Sequence, residues 1–327
     1  MKIFVTGHNG YVGKILSSEL VNKNYEVTGC DVDYFPADPT TQKDIISLNK
    51  DIRQITEDDI RGCDCIMHFA ALSNDPLGEL NSSITNIINF QETVRLAKLA
   101  KSVGVERFIF SSSCSTYGVN NDEVNEKSDL APLTAYAKSK VDSERELLFL
   151  KDENFAPIIL RNATAYGVSP SLRLDLVVNN LTCSAYTTGS VKLLSDGTAW
   201  RPILHIEDMA DAFIFMTNID KKKVSGEIFN VGNNDDNYTV RTIAKYVEEL
   251  VPNSKIEFQS NATKDNRSYK VNFDKIKNLG FKTKWSLKQG IQNLYDTFKE
   301  KNFSESDFLD KKYYRLNILI GSLQKEN

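Results

Sequence analysis

The first thirteen residues constrain this chain more than any other stretch. Lys2 to Thr6 reads as a short buried strand and Gly7-His8-Asn9-Gly10-Tyr11-Val12-Gly13 as a glycine turn. Val12, Ile15, Leu16 and Leu20 then fall on one face of a helix. Glycines at a strand-to-helix junction let the backbone turn tightly and let a pyrophosphate approach the helix N-terminus. The next apolar run, Glu26 to Cys30, ends at Asp31, where a carboxylate can accept the hydroxyls of an adenosine ribose. The same carboxylate repels a 2′-phosphate, so the pattern favours NAD over NADP.

The alternation continues through the first half. Strand-like runs at 65–69, 107–111 and 157–161 are separated by helix-period segments at 85–102 and 136–150. Such alternation builds an α/β, doubly wound parallel sheet covered by helices, a Rossmann-type fold. After about residue 168 the rhythm loosens, with a helix near 174–187, an acidic helix after Glu207 and a strand at Glu227 to Val231. This predicts a dinucleotide-binding domain over 1–168, to which about 205–233 returns, and a smaller mixed substrate domain over 169–327. The lysine run 221–223 reads as a solvated turn, and Trp285 as packing the small domain before a final helix capped by Ser286.

Composition excludes several classes. Of 327 residues, 41% are hydrophobic and 26% charged, which suits a folded domain of ordinary composition. Forty Lys and Arg against forty-four Asp and Glu give a net charge of -4, so no global basic field is available for a nucleic acid. No apolar run reaches the roughly 20 residues of a membrane span, and the stretch Leu316 to Leu323 is broken by Asn317 and Gly321. The short apolar start is no signal peptide, so the expectation is a cytoplasmic protein. Five cysteines without C-x-x-C spacing indicate neither a disulfide framework nor a structural metal site. Of the three histidines, His205 and His68 read as structural and His8 as lying near cofactor phosphates or solvent.

Tyr136-Ala137-Lys138-Ser139-Lys140 sets Tyr136 and Lys140 one helical turn apart on one face. The serine-rich Phe110 to Gly118 follows a strand that should end at the cofactor edge of the sheet. A tyrosine with pKa about 10 is a poor base at neutral pH. An ammonium at roughly 6 Å and effective dielectric 20 contributes about 2.8 kcal/mol, or about two pKa units, toward the phenolate.

With these motifs the chain resembles the extended short-chain dehydrogenase/reductase family, specifically its nucleotide-sugar epimerases and dehydratases. Further matching stretches are Asp51-Ile52-Arg53, His68 to Ala71, Asn89 with Thr93, Arg161 to Gly167, Arg201 to Asp208 and Asp265-Asn266-Arg267. The resemblance implies Tyr136 as catalytic base, Lys140 as its electrostatic partner and nicotinamide-ribose ligand, and Ser113 as the residue bonded to the sugar hydroxyl. It implies NAD contacts from Gly7, Asn9, Gly10, Tyr11, Val12, Gly13, Asp31, Phe69, Ala70, Ala71, Asn89, Ser111, Tyr136 and Lys140, with Asp51 and Ile52 flanking the adenine. The nucleotide-diphosphate sugar is expected to touch Ser73, Ser113, Cys114, Ser115, Tyr136 and Thr164, while Asn180, Arg201 and Arg267 hold its diphosphate. A homodimer is expected by resemblance, through helix 85–102 and the Tyr136 helix.

A dehydratase of the family carries an acid and a glutamate directly after the Ser113 position, where this chain has Cys114 and Ser115. A thiol can donate a proton, but a serine without a base cannot readily take one from carbon. C4 epimerisation through a transient 4-keto sugar is therefore the leading expectation. Dehydration aided by Cys114, 4-keto reduction and non-catalytic dinucleotide binding are the alternatives.

Overall fold

A computed structural model describes residues 1–35, 44–120, 122–263 and 268–325. Seven parallel strands form its main sheet, in the order Glu227–Val231, Ala156–Asn162, Arg107–Ser113, Cys65–His68, Lys2–Thr6, Glu26–Asp31 and Ile45–Asn49. Strand order reverses at Lys2–Thr6, which pairs with Glu26–Asp31 on one side and Cys65–His68 on the other. The crevice at the carboxyl ends of these strands is where such sheets take ligands.

The inner strands are buried on both faces because their side chains alternate between two apolar layers. Ile3, Val5, Met67, Ile109 and Leu160 face one core, which includes Leu16 and Leu20 of the helix Tyr11–Asn22 and Phe213 of the helix Ile206–Asn218. Phe4, Ile66, Phe108, Phe110 and Ile159 face the other, with Leu96, Ala97 and Ala100 of the helix Glu92–Ser102. A third core gathers Val178, Leu181, Ile243, Val247, Ile291, Leu294 and Phe298 from the helices Val177–Thr188, Val240–Leu250 and Leu287–Glu300. The strands Thr164–Tyr166 and Trp200–His205 pair in parallel, and Thr164 and Arg201 on them line the crevice.

The chain departs from its periodicity in specific places. The segment 85–102 is not one regular helix: Ser82–Asn86 runs into a π turn at Ile87–Gln91 before Glu92–Ser102. The wide turn brings Asn89 into the interior, where it accepts from the Leu72 amide at 2.8 Å and donates to the Leu72 carbonyl at 3.1 Å. Ile45–Asn49, unread in the sequence, is an edge strand with exposed Ile46 and so lacks a buried apolar pattern. Lys221–Val224 is a short helix rather than a turn, capped by Asp220, which accepts from the Lys222 amide. Ser286 does cap the helix Leu287–Glu300, but the chain goes on to a further helix, Arg315–Lys325. No helix among the described residues is long and apolar enough to cross a membrane.

Candidate active site

A cleft of about 650 Å³ opens along the carboxyl ends of the central strands. Its floor begins at the glycine turn. Gly7 has φ +75°, and a Cβ added there would lie 2.9 Å from the Ala70 amide nitrogen. One added to Gly13 would lie 2.0 Å from the Gly7 carbonyl oxygen. The turn therefore tolerates no side chain at either point, and the first helix starts directly behind it. Asp31 stands at the rim, with one carboxylate oxygen accepting from the Asn9 amide at 3.0 Å and the other from the Asp33 amide at 3.1 Å. Asp51, Ile52, Phe69, Ala70 and Ala71 complete this end of the wall. A narrow backbone floor, a helix N-terminus and a fixed carboxylate are the donor set and shape that an adenine dinucleotide requires, so these residues fit NAD.

At the other end Ser113 closes the strand Arg107–Ser113 and caps a 3-10 turn, its hydroxyl accepting from the Ser115 amide at 3.1 Å. Tyr136 enters from the helix Ala135–Phe149, whose start is fixed by Thr134 accepting from the Ala137 amide. Lys140, one turn on, is buried and donates to the Ser111 carbonyl at 2.7 Å. Its ammonium stands 5.6 Å from the Tyr136 ring centroid and 4.6 Å from that of Phe110.

The electrostatics differ from the sequence expectation. Burial pushes the Tyr136 phenol up to about 12, against a smaller downward pull from the Ser113 hydroxyl hydrogen-bonded to it. Burial also lowers Lys140 to about 7, with Glu144 one turn further along the helix opposing the fall. Desolvation thus sets the direction at Tyr136 in the protein without cofactor.

Ser73, Ser111, Ser115, Thr164 and Arg201 also line the cleft. Others among the expected site residues turn away. Cys114 is fully buried behind the wall, its thiol donating to the Arg161 carbonyl at 3.2 Å and pushed well up by burial. Asn180 donates to the Leu174 carbonyl at 2.8 Å outside the cleft, while its neighbour Asn179 donates to the Tyr11 hydroxyl at 3.1 Å and locks the loop above the glycine turn. Asn9 braces Asp31 and Asp33, and Asn89 braces Leu72. Arg267 lies outside the described residues.

The histidines are structural. His8 does not face the cleft but is buried against Gly29, its Nε2 2.9 Å from the Ser47 hydroxyl. His68 is held between Thr6 and Thr93. His205 caps the helix Ile206–Asn218 and stacks on Trp285 at 4.0 Å, which places Trp285 at that helix start rather than inside the third core.

Sequence reasoning missed one side of the cleft. Arg173 forms a two-pronged pair with Asp175, each contact 2.9 Å, and Asn74 donates to Asp175 at 3.0 Å. Arg315 and Leu319 line the same side from the C-terminal helix. The adjacency of Arg173 and Asp175 was a usable signal; the C-terminal helix offered none beyond its weak apolar pattern.

Comparison with known proteins agrees with this fold. Residues 3–232 match the model of the NAD dependent epimerase/dehydratase family. The chain is 26% identical to dTDP-D-glucose 4,6-dehydratase of Bos taurus, over 91% of this chain and 89% of that protein. It is also 26% identical to an uncharacterized UDP-glucose epimerase, YtcB, of Bacillus subtilis (strain 168), over 90% of this chain and 96% of that one. Among solved structures, MoeE5 in complex with UDP-glucuronic acid and NAD superposes with a TM-score of 0.81 at 24% identity, covering 92% of this chain and 100% of that chain. The UDP-glucose 4-epimerase of Thermotoga maritima with UDP-glucose gives a TM-score of 0.81 at 21% identity, covering 93% of this chain and 100% of that chain. With the family matched over more than two thirds of its length, the chain belongs to the NAD dependent epimerase/dehydratase family and is an NAD-dependent enzyme.

Proposed function

We propose that this enzyme inverts C4 of a nucleotide-diphosphate sugar through a transient 4-keto sugar. The carrying observation is the disposition of the two residues after Ser113. Cys114 is sealed behind the cleft wall, and the buried Ser115 hydroxyl has no hydrogen-bond partner, and so no base, among the described residues. Elimination of a 6-hydroxyl needs a proton donor at oxygen and a base at C5, and neither is available at these positions. Oxidation at C4 followed by return of the hydride to the other face needs only the groups that do line the cleft.

In this reading Ser113 bonds the C4 hydroxyl and aims its hydrogen across the cleft. Tyr136, as the phenolate that the positive charges of Lys140 and of bound NAD favour, takes the hydroxyl proton and gives it back after the ketone has turned over. Lys140, anchored on Ser111, holds the nicotinamide ribose and keeps positive charge near the phenol. When bound, oxidised NAD supplies the hydride acceptor and a further positive charge beside Tyr136. Arg201 on the cleft wall is a candidate for the diphosphate, and the part of 169–327 outside 205–233 is proposed as the sugar-nucleotide domain.

The relatives named above support the substrate class, being named for dTDP- or UDP-linked sugars. A homodimer through the segment 85–102 and the Tyr136 helix, Ala135–Phe149, belongs to this reading, and Phe149 at the end of that helix is exposed. Light scattering at micromolar protein tests that state, a monomer contradicting it. The function itself is tested by incubating the protein with UDP-glucose, UDP-glucuronic acid and their C4 epimers and following the anomeric proton signals. Interconversion of one pair supports the reading; a 4-keto-6-deoxy product, or inertness toward a full panel of nucleotide sugars, contradicts it.

A further inference from the structure

Arg315 opens the helix Arg315–Lys325 and is only 2% exposed. Its Nη2 donates to the carbonyl and hydroxyl oxygens of Ser171, its guanidinium lies 4.0 Å from the Phe35 ring centroid, and its buried Nη1 has no hydrogen-bond partner among the described residues. The neighbouring Arg173 already occupies Asp175 with both prongs, so this side of the cleft carries one guanidinium more than its paired carboxylates balance among the described residues. A buried charge without a counter-ion is costly and is retained where a ligand supplies the partner. Burial moreover pulls Arg315 down to about 9, with Asp31 among the carboxylates opposing the shift.

The position of Arg315 narrows the ligand. The Leu174 amide donates to the Tyr313 carbonyl at 2.9 Å, fastening the C-terminal segment to the loop that carries Ser169 and Ser171. That loop is pinned to the glycine turn, because Ser169 donates to the Tyr11 carbonyl at 2.8 Å and Tyr11 to the Gly167 carbonyl at 2.7 Å. Arg315 therefore lines the cleft from a segment fastened to the loop over the glycine turn, with Asp31 among the carboxylates near it.

We infer that Arg315 is a second anchor for the cofactor, in which the C-terminal helix closes over the glycine turn and its guanidinium pairs with the pyrophosphate of NAD. The inference rests on the cleft being the dinucleotide site. The C-terminal helix then holds the cofactor through both half-reactions, so that the hydride taken from one substrate molecule is returned to the same one.

Calorimetric titration of the full chain, stripped of nucleotide, with NAD, ADP-ribose, adenosine and UDP tests it. Arg315→Met is expected to weaken NAD and ADP-ribose by about 10- to 100-fold, with adenosine and UDP unchanged and Arg315→Lys in between. Thermal unfolding of ligand-free Arg315→Met is expected to match or exceed that of the wild type, since the unpaired charge is gone. Loss on UDP instead would assign the guanidinium to the substrate diphosphate and overturn the inference, as would equal loss on adenosine. A lowered unfolding temperature with ADP-ribose affinity unchanged would make Arg315 a strut and overturn it too. Wild-type protein that binds no dinucleotide would overturn the cleft assignment itself.

Discussion

The Lys140 ammonium donates to the Ser111 carbonyl at 2.7 Å and stands 5.6 Å from the ring centroid of Tyr136. This fixes the lysine at the carboxyl end of the strand Arg107–Ser113, beside the serine that ends it, so the helix carrying Tyr136 is held in register with the sheet. Burial raises the phenol to about 12, so the base role proposed for Tyr136 needs the added positive charge of bound oxidised cofactor. Tyr136→Phe is expected to lower turnover by at least about 10³-fold while NAD affinity changes by less than about 3-fold. Initial rates and calorimetry on the same preparation check this; surviving turnover would remove Tyr136 from its role.

Cys114 is expected to be dispensable. Its thiol is buried and bonded to the Arg161 carbonyl, so Cys114→Ala should leave turnover within about 3-fold. A group acting as general acid would cost about 10²- to 10⁴-fold when removed. A loss of that size without loss of fold, measured by product formation and circular dichroism, would revive the dehydratase reading.

Asp31 is braced by the amides of Asn9 and Asp33, which keep its carboxylate in place at the rim. Asp31→Ala should shift the NAD-to-NADP affinity ratio toward NADP by about 10-fold or more. Paired titrations with the two cofactors measure it, and an unchanged ratio would mean that Asp31 does not face the ribose.

The glycine turn, Asp31 and the Tyr136–Lys140 pair were legible because each depends on local spacing at the end of a strongly patterned strand. Arg315 was not legible. It lies 302 residues beyond Gly13 in the sequence, and only the fastening of Tyr313 to Leu174 brings its helix to the cleft. Cys114 was open to two readings from its place after Ser113, a proton donor or a small buried hydrophobe, and in the structure the thiol is buried and donates to the Arg161 carbonyl. The opposing effect of burial on the Tyr136 phenol was not legible, because charge spacing is visible in a sequence whereas depth of burial is not.

Stability should fall in acid through the three buried histidines, His8, His68 and His205, all lowered chiefly by burial. His68 and His205 have pKa values lowered to about 3 by burial, against an ordinary 6.5. Below about pH 6.5 the unfolded chain binds protons that the folded protein refuses, so stability is complete above that pH and is lost as pH falls toward 3. His68 and His205 each contribute a slope of about 1.4 kcal/mol per pH unit in that window. Urea unfolding at about pH 7.5, 6.0 and 5.0 should show this decline, and His205→Gln should reduce its slope by the share of one histidine. An unchanged slope in the variant would contradict the assignment for His205.

Glu144 and Arg161 form a buried pair at 2.6 Å that also takes up Ser112 and Tyr117, one helical turn behind Lys140. Removing one partner strands the other charge, so Glu144→Leu is expected to cost about 3 to 5 kcal/mol of stability, whereas replacing both by apolar residues should cost much less. A double-mutant cycle in urea unfolding measures the coupling, and a near-zero value would show the pair to be screened.

The most direct test of C4 inversion is to run the reaction in deuterium oxide with a nucleotide sugar that turns over and to examine the product by proton NMR. The account predicts a C4 epimer in equilibrium with the starting sugar, no net NADH and no deuterium at any carbon, because the hydride removed from C4 is the one returned. Deuterium at C5, or a 6-deoxy-4-keto product, would show that a proton leaves carbon in this site and would contradict the account.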